Sequence, residues 1–163
     1  MKQAYRVVAG LVVLGVLVQA AAVAFGWFDA ISEIDKGLVI DGNYDGNAGH
    51  MIHDINGMYV MPVLGLILLI VSFPAAKEVP DARTWAGIVF GLIVLQVVLT
   101  FVAFGAPIVG ALHGINALAI LGTAARAGAL TRTTPSVRRH SAGPVDVPSQ
   151  TTGSAAPQST RPV

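Results

Sequence analysis

The chain reads as an all-α protein: a four-helix transmembrane bundle with up-down-up-down connectivity, both termini cytoplasmic, and a disordered C-terminal tail. Three observations predict this. Of 163 residues, 54% are hydrophobic and only 12% charged, and the mean hydropathy of +0.69 lies far from that of a soluble domain. The apolar residues fall into four runs, each about long enough at 1.5 Å per residue to cross a hydrocarbon core of roughly 30 Å. The charges segregate as well. Lys2, Arg6, Lys77, Arg83, Arg126, Arg132, Arg138, Arg139 and Arg161 lie on one side of these runs and Lys36 alone on the other, a positive-inside pattern that orients the bundle.

Helix 1 spans residues 7–27, with Gln19 as its only clearly polar side chain and Trp27 as an interfacial anchor. A secretory signal peptide is the competing reading, because Lys2 and Arg6 precede the apolar core and Ala20-Ala21-Ala22 resembles a cleavage site. The apolar run continues past those alanines, which favours the anchor. Residues 28–49 form an acidic external loop with Asp29, Glu33, Asp35, Asp41 and Asp45. Within it, Asp41 to Asn47 matches the first half of a calcium loop, but the twelfth position, where a bidentate glutamate is needed, is Ile52. An Asn/Gly turn is the simpler reading.

Helix 2 covers residues 51–73, with Pro62 inside it predicting a kink, since proline removes a backbone donor and crowds the carbonyl of Met58. Helix 3 covers 85–104 and helix 4 covers 108–125. Gly87 and Gly91 on one, and Gly110 and Gly114 on the other, form small-x-x-x-small steps that predict a tight hairpin. The membrane domain therefore ends near residue 126. Residues 127–163, rich in Thr, Ser, Pro, Gly and Arg, read as a disordered cytoplasmic tail.

Polar groups at membrane depth require partners, so their positions carry the functional information. Gln19, Gln96, His113 and Asn116 are expected in one layer of the outer half, with His53, Asp54 and Asn56 just above it. His53 and Gly57 share a face of helix 2; Gly110, His113 and Ala117 share a face of helix 4. A histidine beside glycine or alanine suits a flat macrocycle, because imidazole supplies an axial ligand and the small residue leaves room for a ring edge. His53 and His113 are thus the candidate axial pair for haem b, with Gly57, Gln19, Gln96 and Asn116 around them. Helical rise places His53 roughly 5 to 9 Å nearer the outer surface than His113, a mismatch that a tilt or the Pro62 kink must absorb. A divalent metal held by His50, His53, Asp54 and His113 is the alternative use of the same residues.

His53-x-x-x-Gly57 opening helix 2, Leu95-Gln96 in helix 3 and Leu112-His113-x-x-Asn116-Ala117 in helix 4 resemble the pattern of a family of small uncharacterised bacterial four-helix membrane proteins, over about residues 5–126. More distantly, the chain resembles one half of haem A synthase, whose four-helix halves carry haem-ligating histidines on their second and fourth helices. That resemblance implies His53 and His113 as the ligand pair and a bacterial plasma membrane as the location. The glutamate which that enzyme places three residues before its helix 2 histidine is His50 here, and the external cysteine pair is absent. Haem binding or membrane electron transfer survives those departures better than haem A synthesis.

The composition also excludes. With no cysteine there is no disulfide, thiolate site or thiol catalysis. No nucleotide loop, hydrolase triad or paired-carboxylate arrangement argues for an enzyme. The basic residues follow the orientation pattern, so the partner they imply is the lipid bilayer, not nucleic acid. Two further functional classes stay open: a scaffold or subunit that meets a membrane partner or a second copy, its polar layer only fixing helix packing, and a small transporter.

Overall fold

The structure, a computed structural model, describes residues 1–133. Every regular element among these is helical: α1 (Lys2–Ile34), α2 (Ala48–Ala75), α3 (Ala82–Gly105) and α4 (Val109–Thr133). α1, α2 and α3 are each long and apolar enough to cross a membrane. α4 has the length, but His113, Asn116, Thr123 and Arg126 dilute its apolar character, so three membrane-grade helices are found where four are expected. The exposed surface is apolar around the bundle, with Phe104 82%, Ile108 82% and Leu118 68% exposed, while alanine, valine and glycine dominate the interior. That inversion suits acyl chains as solvent and identifies a membrane protein.

α1 and α3 each pack against both α2 and α4, which puts α2 and α4 on one diagonal. The buried core runs through Tyr5, Val12, Leu68, Val89, Ile93 and Ile120. At one end the Tyr5 hydroxyl donates to the carbonyl of Ala82 at 3.1 Å, the α-amine of Met1 meets Glu78 at 3.3 Å, and two arginines stack on aromatic rings, Arg83 over Phe73 and Arg126 over Trp85.

The helices outrun their predicted ends. α1 continues to Ile34, so the loop between α1 and α2 is shorter than the expected 28–49, and α4 continues past Arg126 because Ala127 and Leu130 still bury against the bundle, with Gly128 reaching Ala9. The predicted tail therefore loses its first seven residues, 127–133, to helix; the rest of it lies outside the described residues. The calcium-like segment folds as a turn, in which Asp41 accepts from the amides of Asn43 (2.8 Å, side chain) and Tyr44 (3.1 Å, backbone).

Close approach within the chain also occurs elsewhere than expected. A Cβ at Gly87, Gly91, Gly110 or Gly114 would meet nothing within 4 Å, so these steps do not seat one helix on another. The tight crossing is α1 on α2: a Cβ at Gly49 would lie 2.5 Å from the nitrogen of Gly26 and 2.6 Å from the carbonyl oxygen of Ala22. Asn47 fixes that crossing. Its side-chain oxygen accepts from the amides of Gly49 and His50 to cap α2, and its amide nitrogen donates to Gly26 O at 2.8 Å and to Asp29 at 2.9 Å.

α2 is interrupted, one turn ahead of Pro62, by a π-helical turn over Asn56–Val60, in which the amide of Met61 bonds the carbonyl of Asn56. The wider turn accommodates the proline without a simple break, and it begins three residues after His53.

Candidate functional site

The site is a set of side chains meeting across the α2/α4 diagonal. His53 is the sixth residue of α2 and His113 the fifth of α4, so both lie about 6 to 8 Å in from their helix starts at the usual rise. Helix 2 begins three residues earlier than expected, which puts His53 deeper in its helix than the sequence count allowed, and the two rings come within contact range. Their ring centroids are 6.4 Å apart, with the planes inclined by 53°.

The hydrogen bonds define which imidazole nitrogen is protonated. His53 Nδ1 lies 3.2 Å from the backbone carbonyl of Gln19 on α1. A carbonyl only accepts, so Nδ1 carries the hydrogen and Nε2 keeps its lone pair. His113 Nδ1 lies 3.2 Å from the hydroxyl of Thr100, and that hydroxyl gives its own hydrogen to the carbonyl of Gln96 at 3.0 Å. The Thr100 oxygen is therefore left to accept from His113, which again carries its hydrogen on Nδ1. With Nδ1 as the donor in each ring, both Nε2 atoms are left without a protein partner, and Nε2 is the atom through which each histidine, held by its other nitrogen, would ligate a metal.

Around the pair, Gln96 donates to the carbonyl of His113 at 3.1 Å, and Asn116 donates to the side chain of Gln96 at 2.6 Å and to Leu92 O at 2.9 Å. Asn56, at the head of the π turn, donates to Gly15 O at 2.9 Å. These bonds tie α3 to α4 and α2 to α1 at the level of the histidines. Gln19 differs: its side-chain oxygen is buried without a hydrogen-bond partner.

A cavity of about 330 Å³ adjoins the pair, lined by Gln19, His53, Gly57, Gln96, His113, Gly114 and Ala117 with apolar residues of all four helices. A smaller crevice reaches both rings past Asp54, Met58, Val97 and Thr100. Gly57 lines both spaces, and a Cβ there would meet the side-chain nitrogen of Gln19 at 2.5 Å, so the missing side chain also makes room for Gln19.

The predicted set of Gln19, His53, Gly57, Gln96, His113 and Asn116 is brought together, although Asn116 acts through Gln96 and does not line the cavity. The four-ligand metal set is not assembled. His50 turns away into the outer loop, its ring edge-on to Trp27 (5.2 Å) and Tyr44 (6.1 Å) and its Nδ1 accepting from the amide of Asn47. Among the described residues no three His, Asp or Glu side chains converge in a metal-holding group. Thr100 escaped the sequence reading. Its signal was its place four residues after Gln96, on the same face of α3.

Comparison with family models, with curated proteins and with solved structures returns no match.

Proposed function

We propose that this chain is a multi-pass protein of the bacterial plasma membrane that holds haem b between His53 and His113 for membrane electron transfer, its helices running up-down-up-down with both termini cytoplasmic. The orientation is supported by the nine basic residues opposite Lys36, and by Arg83 and Arg126 stacking at the end that also carries Met1 and Glu78.

The observation that carries the haem assignment is the pair of bare Nε2 atoms on rings 6.4 Å apart. Two imidazoles on opposite sides of one metal, with bonds of about 2.0 Å and about 1.1 Å more to each ring centre, have centroids about 6.2 Å apart; tetrahedral ligation draws them in to about 5 Å. The spacing favours the opposed arrangement, that of a bis-histidine haem. The cavity of about 330 Å³ is at the small end of ligand sites, roughly 300 to 1,000 Å³, so a macrocycle with its substituents also needs the cavity's open side.

In this assignment His53 and His113 would hold the haem, the Gln19 carbonyl and the Thr100 hydroxyl orient their rings, and Gln96 and Asn116 hold α3 against α4 at that level. Haem b, when bound, supplies one-electron redox chemistry. The test is an absorption spectrum of protein made with ample haem and purified in detergent. A Soret band lost in both His53→Ala and His113→Ala is expected. No band in the wild type, or a band indifferent to His113→Ala, sinks the assignment.

A second reading, a scaffold or subunit whose polar layer only fixes packing, draws on the Asn116, Gln96 and Leu92 bonds, which join α3 to α4 without a ligand. It predicts that His113→Gln keeps both fold and function and that a partner co-purifies.

A further inference from the structure

The cavity is not lined evenly. Its contributions from α2 and α3, namely His53, Gly57, Met61, Ile93 and Gln96, are buried or half-buried. Every exposed residue on its wall belongs to α1 or α4: Leu17 (53%), Ala20, Gly114 and Leu118 (68%). The opening is therefore a gap between α1 and α4, midway along two helices whose outer faces are apolar. Nothing charged lines it. The polar residues of the cavity are Gln19, His53, Gln96 and His113. The smaller crevice past Asp54 reaches the same rings from another side, but only the α1/α4 opening is flanked by apolar side chains alone. A molecule dissolved in the bilayer meets that apolar mouth and then the polar groups of the cavity wall.

We infer that the cavity is filled sideways from the lipid phase, through the gap between α1 and α4, by a bilayer-partitioned molecule that carries a polar centre. The identity of that molecule as haem rests on the proposed function; the route does not. Gly114 and Ala20 keep the mouth wide, since neither carries bulk, and Leu17 and Leu118 flank it as flexible side chains. Gln19 is the contact that receives the polar centre beside the two imidazoles.

The route is tested on the full chain reconstituted in phosphatidylcholine vesicles, with an iodophenyl diazirine as a small apolar photolabel that partitions into acyl chains. Val16, Met61, Ile93 and Ile120 line the cavity and are at most 7% exposed; Val12, Leu68 and Val89 are equally buried but lie off it. Adducts are expected on the first four in clear excess over the other three. Leu118→Trp fills the mouth and lowers those adducts about fivefold or more, whereas Ile70→Trp, on the lipid-facing side of α2, leaves them unchanged. Equal labelling of both groups, or labelling indifferent to Leu118→Trp, overturns the lateral route. Saturating haemin suppresses the cavity adducts when haem uses the same opening. Adducts that form but persist under haemin, in a protein with no Soret band, remove the haem assignment and leave the route standing.

Discussion

Thr100→Val offers the sharpest test of how the site is held. The substitution is nearly isosteric and deletes one hydroxyl, which accepts from His113 Nδ1 at 3.2 Å and donates to Gln96 O at 3.0 Å. The second bond is a reach back within α3, so its loss leaves the bundle almost untouched. The first orients the ring of His113, one of the two proposed haem ligands. A single hydrogen bond of this kind contributes about 0.5 to 1.5 kcal/mol net, a factor of roughly 2 to 13 in affinity. Releasing the ring also lets the competing tautomer put its hydrogen on Nε2, and loss of an orienting partner typically weakens a metal site about 10- to 100-fold. The expected loss in haemin affinity is therefore about 10- to 30-fold, or about 1.4 to 2 kcal/mol. The assay is titration of haem-free protein in detergent followed at the Soret band, with thermal unfolding of the same samples as a control. Thr100→Ser keeps the hydroxyl and should stay within about twofold of wild type on the same scale. Wild-type affinity in Thr100→Val refutes the tautomer argument. A Thr100→Ser protein as weak as Thr100→Val shows that the methyl packing, not the hydroxyl, matters.

The glycines make opposite predictions from one geometric criterion. Gly49→Ala drives a Cβ into the backbone of Gly26 and Ala22 at 2.5 to 2.6 Å, where neither atom can yield, and should cost about 1 to 3 kcal/mol or prevent assembly, read as a lowered midpoint in denaturing detergent. Gly114→Ala meets open space and should leave that midpoint unchanged within about 0.5 kcal/mol. Asn47→Ala removes the cap of α2 together with the bonds to Gly26 and Asp29; a loss of about 1 to 2 kcal/mol is expected in the same assay. Asn116→Leu breaks the 2.6 Å bond to Gln96 and the bond to Leu92, for about 0.6 to 2 kcal/mol, with the Soret band weakened but retained.

The bundle was legible because a membrane helix writes itself in composition: long apolar runs between charged ends need no tertiary information. The helix ends were not. Asp29 and Glu33 look like loop residues, yet α1 carries them outward as helix to Ile34, and α4 runs past Arg126 because small residues there still find α1. Choosing the candidate histidines was easier than placing them. His53 and His113 were singled out by polarity at membrane depth, but their depth was counted from a helix start that the Asn47 cap moves to Ala48. The cap lies in a stretch that also reads as half a calcium loop, so its role became visible only once its side chain was seen bridging Gly26, Asp29 and α2. The glycine pattern misled for a related reason. A small-x-x-x-small step states that backbones can approach, not which pair does, and the pair that does, Gly26 and Gly49, lies outside the two predicted steps and joins α1 to α2 across the loop.

Packing alone accounts for part of the polar layer and stops short of the rest. Asn56 and Asn116 are buried, 9% and 7% exposed, and each has found a carbonyl on a neighbouring helix, as a group whose task is to lock helices should. The imidazoles and Gln19 are arranged differently. Each imidazole uses one nitrogen to fix its own orientation and leaves the other without a protein partner, and Gln19 holds a buried acceptor empty at the same cavity. The Gln19 oxygen is buried, so its empty valence is costly in an apolar medium. His50 Nε2, away from the cavity, is buried and unpartnered too, so one open valence is not peculiar to this site. What the cavity adds is two imidazoles and an amide oxygen left open around one space, as the proposed haem site requires, and this sets the decisive comparison. His113→Gln, which preserves polarity but removes the imidazole lone pair, should keep the folded midpoint of the wild type and lose the Soret band. The reverse result, a destabilised bundle that still binds haem, would return both histidines to the packing layer.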